Sequence, residues 1–115
     1  MADHTLLSWS EFERVDIRSG TIKSVKYNEK AKIPAYILTI DFGVQVGIKT
    51  SSAQITQNYL PNELINKKIL AVINFPTKIV AGVKSEVLVL ATICDKLGTM
   101  LIQPNELTID GSKVR

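Results

Sequence analysis

The side chains best suited to nucleophilic chemistry are adjacent in the sequence, where Lys84 precedes Ser85. A lysine near a serine can activate its hydroxyl group, but neighbours on a strand point to opposite faces. The run Gly-Val-Lys-Ser at residues 82–85 is not a phosphate-binding loop, because that motif needs Gly-Lys-Ser/Thr in direct succession. No pair of carboxylates is spaced for acid–base catalysis. The sequence therefore predicts a protein without enzymatic activity.

Candidate ligands for a metal or cofactor are equally scarce. The chain has one histidine, His4, and one cysteine, Cys94. A zinc site of the usual kind takes three or four such ligands, and an internal disulfide needs a second thiol. We therefore expect no metal and no cofactor. We also expect His4 to be an exposed tail residue and Cys94 to be a buried structural thiol.

Charge is distributed unevenly along the 115 residues, although the net charge is only +3. Residues 17–85 contain ten basic residues and three acids, a net of +7, and both flanking segments are net acidic. A basic middle section favours an anionic partner such as nucleic acid, although it can equally be a solvated surface. Proteins that bind single strands often stack bases on aromatic rings, for which Tyr27, Tyr36 and Phe75 are the candidates.

The length and hydropathy of the chain predict one domain in the cytoplasm. Domains cluster at ~100–150 residues, close to this length. No stretch approaches the ~20 apolar residues of a membrane span. The opening Met-Ala-Asp-His has neither the basic region nor the apolar region of a secretory signal.

The elements that must position these residues are mainly strands, because branched residues that favour strands are abundant. Strands are expected over residues 15–26 (with a bulge or bend at Gly20), 35–42, 44–49, 67–75 and 84–93, followed by a small C-terminal hairpin. A helical connection is expected over residues 51–59, with a second turn beginning at Pro61. This order predicts an all-β fold, a five-stranded Greek-key barrel of the OB-fold type.

The first 13 residues are expected to form a helical extension, with the barrel domain over residues 14–115. Either Ser10 with Glu13 or Ser8 with Glu11 fits a capping box. Residues 69–73 and 87–91 are apolar on both strand faces, whereas one face of a barrel strand is usually wet. The extension can cover part of the second face, but it is too short to cover all of it. Local loops are one candidate cover for the rest, and a second subunit is the other. We therefore predict a homodimer with the extension at its interface.

Two segments resemble the tRNA-binding-domain family, namely Asn-Phe-Pro-Thr-Lys at residues 74–78 and Lys-Ser-Glu-Val-Leu-Val-Leu at residues 84–90. The family pattern has Asn-Leu-Lys-Pro-Arg-Lys, a short loop, and then Ser-Gln or Ser-Glu. Residues 15–22, 34–43 and 47–56 add to the likeness. Together these motifs resemble the CsaA-type subgroup of export-related chaperones. The family usually has one or two arginines directly after the Asn-x-Pro segment, whereas this chain has Thr77-Lys78. Lysine contacts phosphate as a point charge, whereas arginine can form two hydrogen bonds with it.

The resemblance implies a homodimeric OB-fold that binds unfolded or pre-secretory polypeptide, and the wider family implies a tRNA-binding surface. The positions that match the family, and that would bind peptide or RNA, are Lys32, Asn74, Lys78, Lys84, Ser85 and Glu86. Phe75 is a further candidate, because it is apolar and lies at a chain break; packing at a dimer interface is the alternative. The second function that stays open is a tRNA-binding protein, or an accessory domain that recruits tRNA to a synthetase.

Overall fold

The structure is a computed structural model that describes residues 5–115, and most of these residues form a strand-rich barrel. The barrel strands are β1 Ile17–Tyr27, β2 Tyr36–Asp41, β3 Ile48–Ala53 and β4 Lys68–Val72. The shorter strands are β5 Lys78–Val80, β6 Val83–Ser85, β7 Leu88–Val89, β8 Ala91–Cys94 and β9 Gly98–Leu101, and the helices are α1 Trp9–Glu13 and α2 Pro61–Leu64. The main sheet is antiparallel in the order β3-β2-β1-β4-β7, while β5–β6 and β8–β9 form separate hairpins.

Hydrogen bonds between β3 and residues 84–87 bring the two ends of this sheet together. The Glu86 N–H donates to the Thr50 carbonyl at 2.8 Å, and the Ser51 hydroxyl donates to the Val87 carbonyl at 3.0 Å. The result is a nearly closed five-stranded antiparallel barrel with a short helix between its third and fourth strands. This is an OB-fold-like architecture, and the predicted fold class is confirmed.

The core of the barrel consists of fully buried apolar side chains: Ile22, Leu38, Ile40, Phe42, Leu64 and Ile69. Gly20 belongs to this packing, because a Cβ at its position would lie 2.7 Å from Ile40 Cγ2 and 2.8 Å from the Phe42 ring. The bulge expected at Gly20 lies further along β1, where the pairing register shifts between Ile22 and Ser24. Gly20 therefore provides space in the core.

The third strand and the helical connection were wrongly placed by the sequence. Residues 43–47 form a turn in which the Gly47 N–H donates to the Gly43 carbonyl at 2.7 Å. Both glycines have positive φ angles, 89° and 86°, which other residues rarely adopt. The strand therefore starts at Ile48 and includes residues 51–53, which we expected to be helical. The short helix is α2, which begins at Pro61 as expected.

The single strand expected over residues 84–93 is divided into β6, β7 and β8. The chain changes partner twice, because β6 pairs with β5, β7 with β4, and β8 with β9. Cys94, at the end of β8, is exposed, so the prediction of a buried structural thiol was wrong. Hydrogen bonds from the Leu97 and Lys96 backbone N–H groups lower the pKa of the Cys94 thiol.

The N-terminal segment forms only a short helix. The Ser8–Glu11 pair makes the capping box: the Glu11 N–H donates to the Ser8 hydroxyl at 3.1 Å, and the Ser8 N–H donates to the Glu11 carboxylate at 2.9 Å. The Ser8 N–H and, to a smaller extent, the Ser8 hydroxyl lower the pKa of the Glu11 carboxyl by hydrogen bonding to it. Leu6, Leu7 and Trp9 are exposed, so within one chain they do not cover the barrel. His4 lies outside the described residues.

The second faces of the doubly apolar segments are only partly covered by this chain. On β4, Leu70 is half-buried and Val72 is buried, whereas Leu88 on β7 is 50% exposed. The C-terminal segment pairs with the first residues of β1, on the side that β2 leaves unpaired before Thr21. There the Ser19 N–H donates to the Ser112 carbonyl at 3.0 Å. Among residues 5–115, no helix is long and apolar enough to cross a membrane.

Candidate ligand-binding site

The β5–β6 hairpin carries three of the predicted site residues. Its register pairs Lys78 with Ser85 and Ile79 with Lys84. Because side chains alternate along a strand, Lys78 and Ser85 share one face, and Ile79 and Lys84 share the other. The two predicted lysines therefore lie on opposite faces of the hairpin. Its turn has positive φ at both central residues, 47° and 81° at positions 81 and 82, as a two-residue turn of this kind requires.

Ser85 and Glu86 fasten the hairpin to the barrel. The Ser85 hydroxyl accepts a hydrogen bond from the Ser52 N–H at 3.1 Å. One Glu86 carboxylate oxygen accepts from the Thr50 N–H at 3.0 Å and from the Thr50 hydroxyl at 3.1 Å. The sequence predicted ligand-binding roles for these two residues. Their observed bonds hold the segment that carries Lys78 and Lys84 against β3, and the ligand-binding roles stay predictions.

Asn74 is also engaged in bonds to the backbone. Its side-chain oxygen accepts from the Asp16 N–H at 3.0 Å, and its side-chain nitrogen donates to the Arg14 carbonyl at 2.6 Å. Both partners belong to the junction between α1 and β1. Asn74 therefore ties that junction to the end of β4, directly before the residues that form a groove.

An apolar groove of about 460 Å³ lies between residues 75–78 and residues 85–88, and we call it the Phe75 groove. Phe75 is 56% exposed and Leu88 is 50% exposed, so two large apolar side chains form part of its open wall. Pro76 and Val87 add apolar surface, while Lys78 and Glu86 are the charged residues of the lining. The groove thus brings together four of the predicted residues: Phe75, Lys78, Ser85 and Glu86.

Lys32 lies in a second groove of about 360 Å³, between loop 28–35 and the tip of the β5–β6 hairpin; we call it the Lys32 groove. Sequence reasoning missed Lys30, which lines the same groove. A Cβ at Gly82 would lie only 3.9 Å from Lys30 Nζ, which places this ammonium group beside the hairpin tip. In an OB-fold the loops after the first and fourth strands flank the ligand, and this rule identifies the loop that contains Lys30.

Positive charge at the hairpin is not neutralised by neighbouring carboxylates. Lys30, Lys32, Lys78 and Lys84 are exposed, and within residues 5–115 no acidic side chain lies within 4.0 Å of their ammonium groups. Lys68, which the sequence places in the same basic section, instead donates to the Thr108 carbonyl and lies 3.7 Å from Asp110. Among the described residues, Lys68 is thus the one lysine of the basic section with a carboxylate within 4.0 Å.

The three aromatic residues considered as base-stacking platforms differ in accessibility. Tyr36 is 5% exposed, and its hydroxyl donates to the Tyr59 carbonyl at 2.8 Å. It is therefore a core residue and not a platform. Tyr27 and Phe75 are both more than half exposed. Tyr27 packs edge-on against Tyr36, with the ring centroids 6.2 Å apart.

Comparison with known proteins gives a consistent result over nearly the whole chain. The family model of the tRNA-binding domain matches residues 17–113. The CsaA chaperone protein from Picrophilus torridus is 47% identical and has a TM-score of 0.90, over 96% of this chain and 100% of that one. The chaperone CsaA from Bacillus anthracis is 43% identical with a TM-score of 0.89, again over 96% and 100% of the two chains.

A curated relative places the same kind of domain inside a larger enzyme. The methionine–tRNA ligase of Pyrococcus horikoshii is 33% identical over 109 residues. These residues are 95% of this chain but only 14% of the ligase. The likeness therefore concerns a small part of that enzyme, whereas it covers the full length of the two chaperone structures.

Proposed function

This chain belongs to the tRNA-binding-domain family, and from that premise we propose that it is a dimeric, non-enzymatic chaperone-type binding protein. It binds unfolded or pre-secretory polypeptide in the Phe75 groove, in the cytoplasm. The likeness to two CsaA chaperone structures over their full length supports this function.

The observation that carries the proposal is the chemistry of the Phe75 groove. Its lining is mostly apolar, yet Phe75 and Leu88 remain half exposed. Exposed apolar surface of this kind favours a partner that buries it. An unfolded polypeptide offers apolar side chains and free main-chain groups, and both suit a groove beside a short strand.

We test polypeptide binding with Phe75→Ala and Leu88→Ala. The measurement is fluorescence anisotropy of a labelled, permanently unfolded protein such as reduced and carboxymethylated lactalbumin. Each change should weaken binding about tenfold, which is the effect of losing ~1.4 kcal/mol of apolar contact. Leu107→Ala is the matched control, because Leu107 is 89% exposed and does not line the groove. Equal affinities for all four proteins would contradict the proposal.

The N-terminal segment supports the dimer. Leu6, Leu7 and Trp9 are 88%, 68% and 86% exposed, and a cluster of large apolar residues is normally covered. We propose that a second copy covers it, with residues 1–13 as the extension at the interface and residues 14–115 as the binding domain. Sedimentation velocity should give a dimer for the full chain and a weaker dimer after deletion of residues 1–13. An equally stable dimer after deletion would contradict this placement.

A second candidate function is tRNA binding, and the four unneutralised lysines at the hairpin favour it. The protein would then act by itself or as an accessory domain that brings tRNA to a synthetase. If the lysines contact phosphates, each one removed should lower the slope of log Kd against log salt by about one. The double change Lys78→Ala with Lys84→Ala tests this, and Lys96→Ala with Lys113→Ala is the control. An unchanged slope in the first pair would contradict phosphate contact.

A further inference from the structure

The Phe75 groove and the Lys32 groove are connected by a third cavity. This cavity, of about 490 Å³, lies between the end of β3, the β5–β6 hairpin and residues 88–93. It shares Lys78, Ser85 and Leu88 with the Phe75 groove. It shares Ser52, Gln54 and Val80 with the Lys32 groove. The three cavities therefore form one trough, which follows the face of the hairpin that carries Lys78, Val80 and Ser85. We call this the inner face of the hairpin.

The two ends of this trough differ in chemistry. Phe75 and Leu88 make one end apolar, whereas Lys30 and Lys32 make the other end basic. Lys78 stands between them, because its side chain lines both the Phe75 groove and the connecting cavity. An apolar polypeptide and a phosphate backbone would enter from different ends, and both would need the space beside Lys78.

We propose that the trough holds one ligand at a time, so that RNA and unfolded polypeptide exclude each other. This inference rests on the two binding functions proposed above and adds how one ligand regulates the other. RNA would then release a bound polypeptide, and a polypeptide would displace RNA, through direct competition for the inner face of the hairpin.

The size of the hairpin supports exclusion. Each of its strands has three residues, so its inner face is only ~10 Å long at ~3.3 Å per residue. An extended segment of five residues is already ~17 Å long. A polypeptide of this length that runs from Phe75 along the hairpin extends past Lys78. A phosphate held by Lys78 would close the same path.

The bonds that fix the hairpin also limit its ability to adapt. Ser85 accepts from the Ser52 N–H, and the Thr50 hydroxyl donates to the Lys84 carbonyl at 2.7 Å. These bonds hold β6 against β3 over two successive residues. The hairpin would have to break them to move outward and admit a second ligand.

The test begins with separate titrations of the full chain, first with labelled tRNA and then with labelled carboxymethylated lactalbumin. Unlabelled lactalbumin is next added to the tRNA complex. Competitor at ten times its own Kd should raise the apparent Kd for tRNA about tenfold, because competitive ligands act by mass action. Saturating competitor fills every trough whatever the oligomeric state, and mixing the two ligands without the protein controls for their direct association.

Two variants make the result specific to the trough. Leu88→Ala should weaken lactalbumin binding and lower its power to displace tRNA by the same factor, while tRNA binding alone is unchanged. Lys32→Ala should weaken tRNA binding and leave lactalbumin binding unchanged. Leu107→Ala, outside all three cavities, should behave as the unmodified chain.

The outcomes separate this inference from the proposed functions. If either ligand fails to bind in its own titration, the corresponding function is wrong and exclusion falls with it. If both bind alone but the apparent Kd for tRNA stays unchanged at saturating lactalbumin, only the shared trough is overturned. Displacement that Leu88→Ala does not weaken would also overturn it.

Discussion

The barrel strands and the β5–β6 hairpin are both antiparallel, but different interactions hold them. The sheet formed by β1, β2 and β3 has six residue pairs at each of its two junctions and encloses fully buried side chains such as Leu38 and Ile40. The hairpin has three residue pairs and no fully buried side chain, and hydrogen bonds of Ser85, Glu86 and Thr50 attach it to β3. Burial stabilises the first region, and a few hydrogen bonds position the second.

This difference explains how one small domain combines a stable fold with an open binding surface. Apolar residues inside the barrel contribute to the free energy of unfolding, whereas Phe75, Ile79 and Leu88 stay accessible. Loops on a rigid scaffold commonly carry binding residues for this reason. The comparison predicts that mutations in the barrel change stability, and that mutations at the hairpin change binding.

The largest expected effect is on stability, from Leu38→Ala in the barrel. Leu38 is fully buried, and such truncations usually cost about 2–5 kcal/mol, because contacts are lost and a cavity remains. Ile79→Ala, on the outer face of the hairpin, should change the free energy of unfolding by less than ~0.5 kcal/mol. Urea denaturation of both variants measures this. Similar losses would mean that the hairpin is part of the cooperative core.

The next effect concerns the attachment of the hairpin, through Glu86→Ala. The change leaves the Thr50 N–H without its carboxylate acceptor, a loss of about 1–3 kcal/mol, whereas the Thr50 hydroxyl keeps the Lys84 carbonyl as its acceptor. Amide exchange should become faster in residues 78–86 and remain slow in β1 and β2. Glu106→Ala, at an exposed carboxylate, is the control. Uniformly faster exchange across the barrel would instead mean that Glu86 stabilises the whole barrel against unfolding.

The sequence predicted the barrel region well because its strands follow a simple periodicity. Along β2 buried and half-buried residues alternate from Tyr36 to Asp41, and this pattern is visible without coordinates. The strand that was misplaced, β3, contains Lys-Thr-Ser-Ser, which has no apolar alternation. Its position is set by the turn at Gly43–Gly47 and by pairing with β2, and both depend on the folded chain.

The candidate site was less predictable, because the roles of its side chains depend on contacts between distant segments. Asn74 binds residues about 60 positions away in the chain, and Glu86 binds a residue 36 positions away. No local pattern reveals such partners. Residue type pointed to Lys78 and Phe75, and both are exposed and line the Phe75 groove. It missed Lys30, whose place beside Gly82 arises only when two loops meet.

A smaller effect should follow pH at α1, which lies outside the barrel. The hydrogen bonds from Ser8 to the Glu11 carboxylate lower the pKa of Glu11, so their contribution is present above its ordinary value near 4.5. It is lost as the pH falls through the lowered folded value. NMR should detect a shift of the Ser8 amide in this acidic range, and Glu11→Gln should remove the titration. Simultaneous changes in β1 and β2 amides would mean that α1 and the barrel unfold together.

The smallest effect is expected at Cys94, which tests whether the β8–β9 hairpin also lies outside the core. The thiol is exposed, and backbone N–H groups favour its thiolate form, which is the reactive form. Ellman's reagent should therefore react with the folded protein at least as fast as with the chain in urea. Cys94→Ser should change the free energy of unfolding by less than ~0.5 kcal/mol. Burial protects a thiol from the reagent. A reaction that occurs only after unfolding would therefore mean that β8 packs with the barrel core and does not belong to the accessible surface.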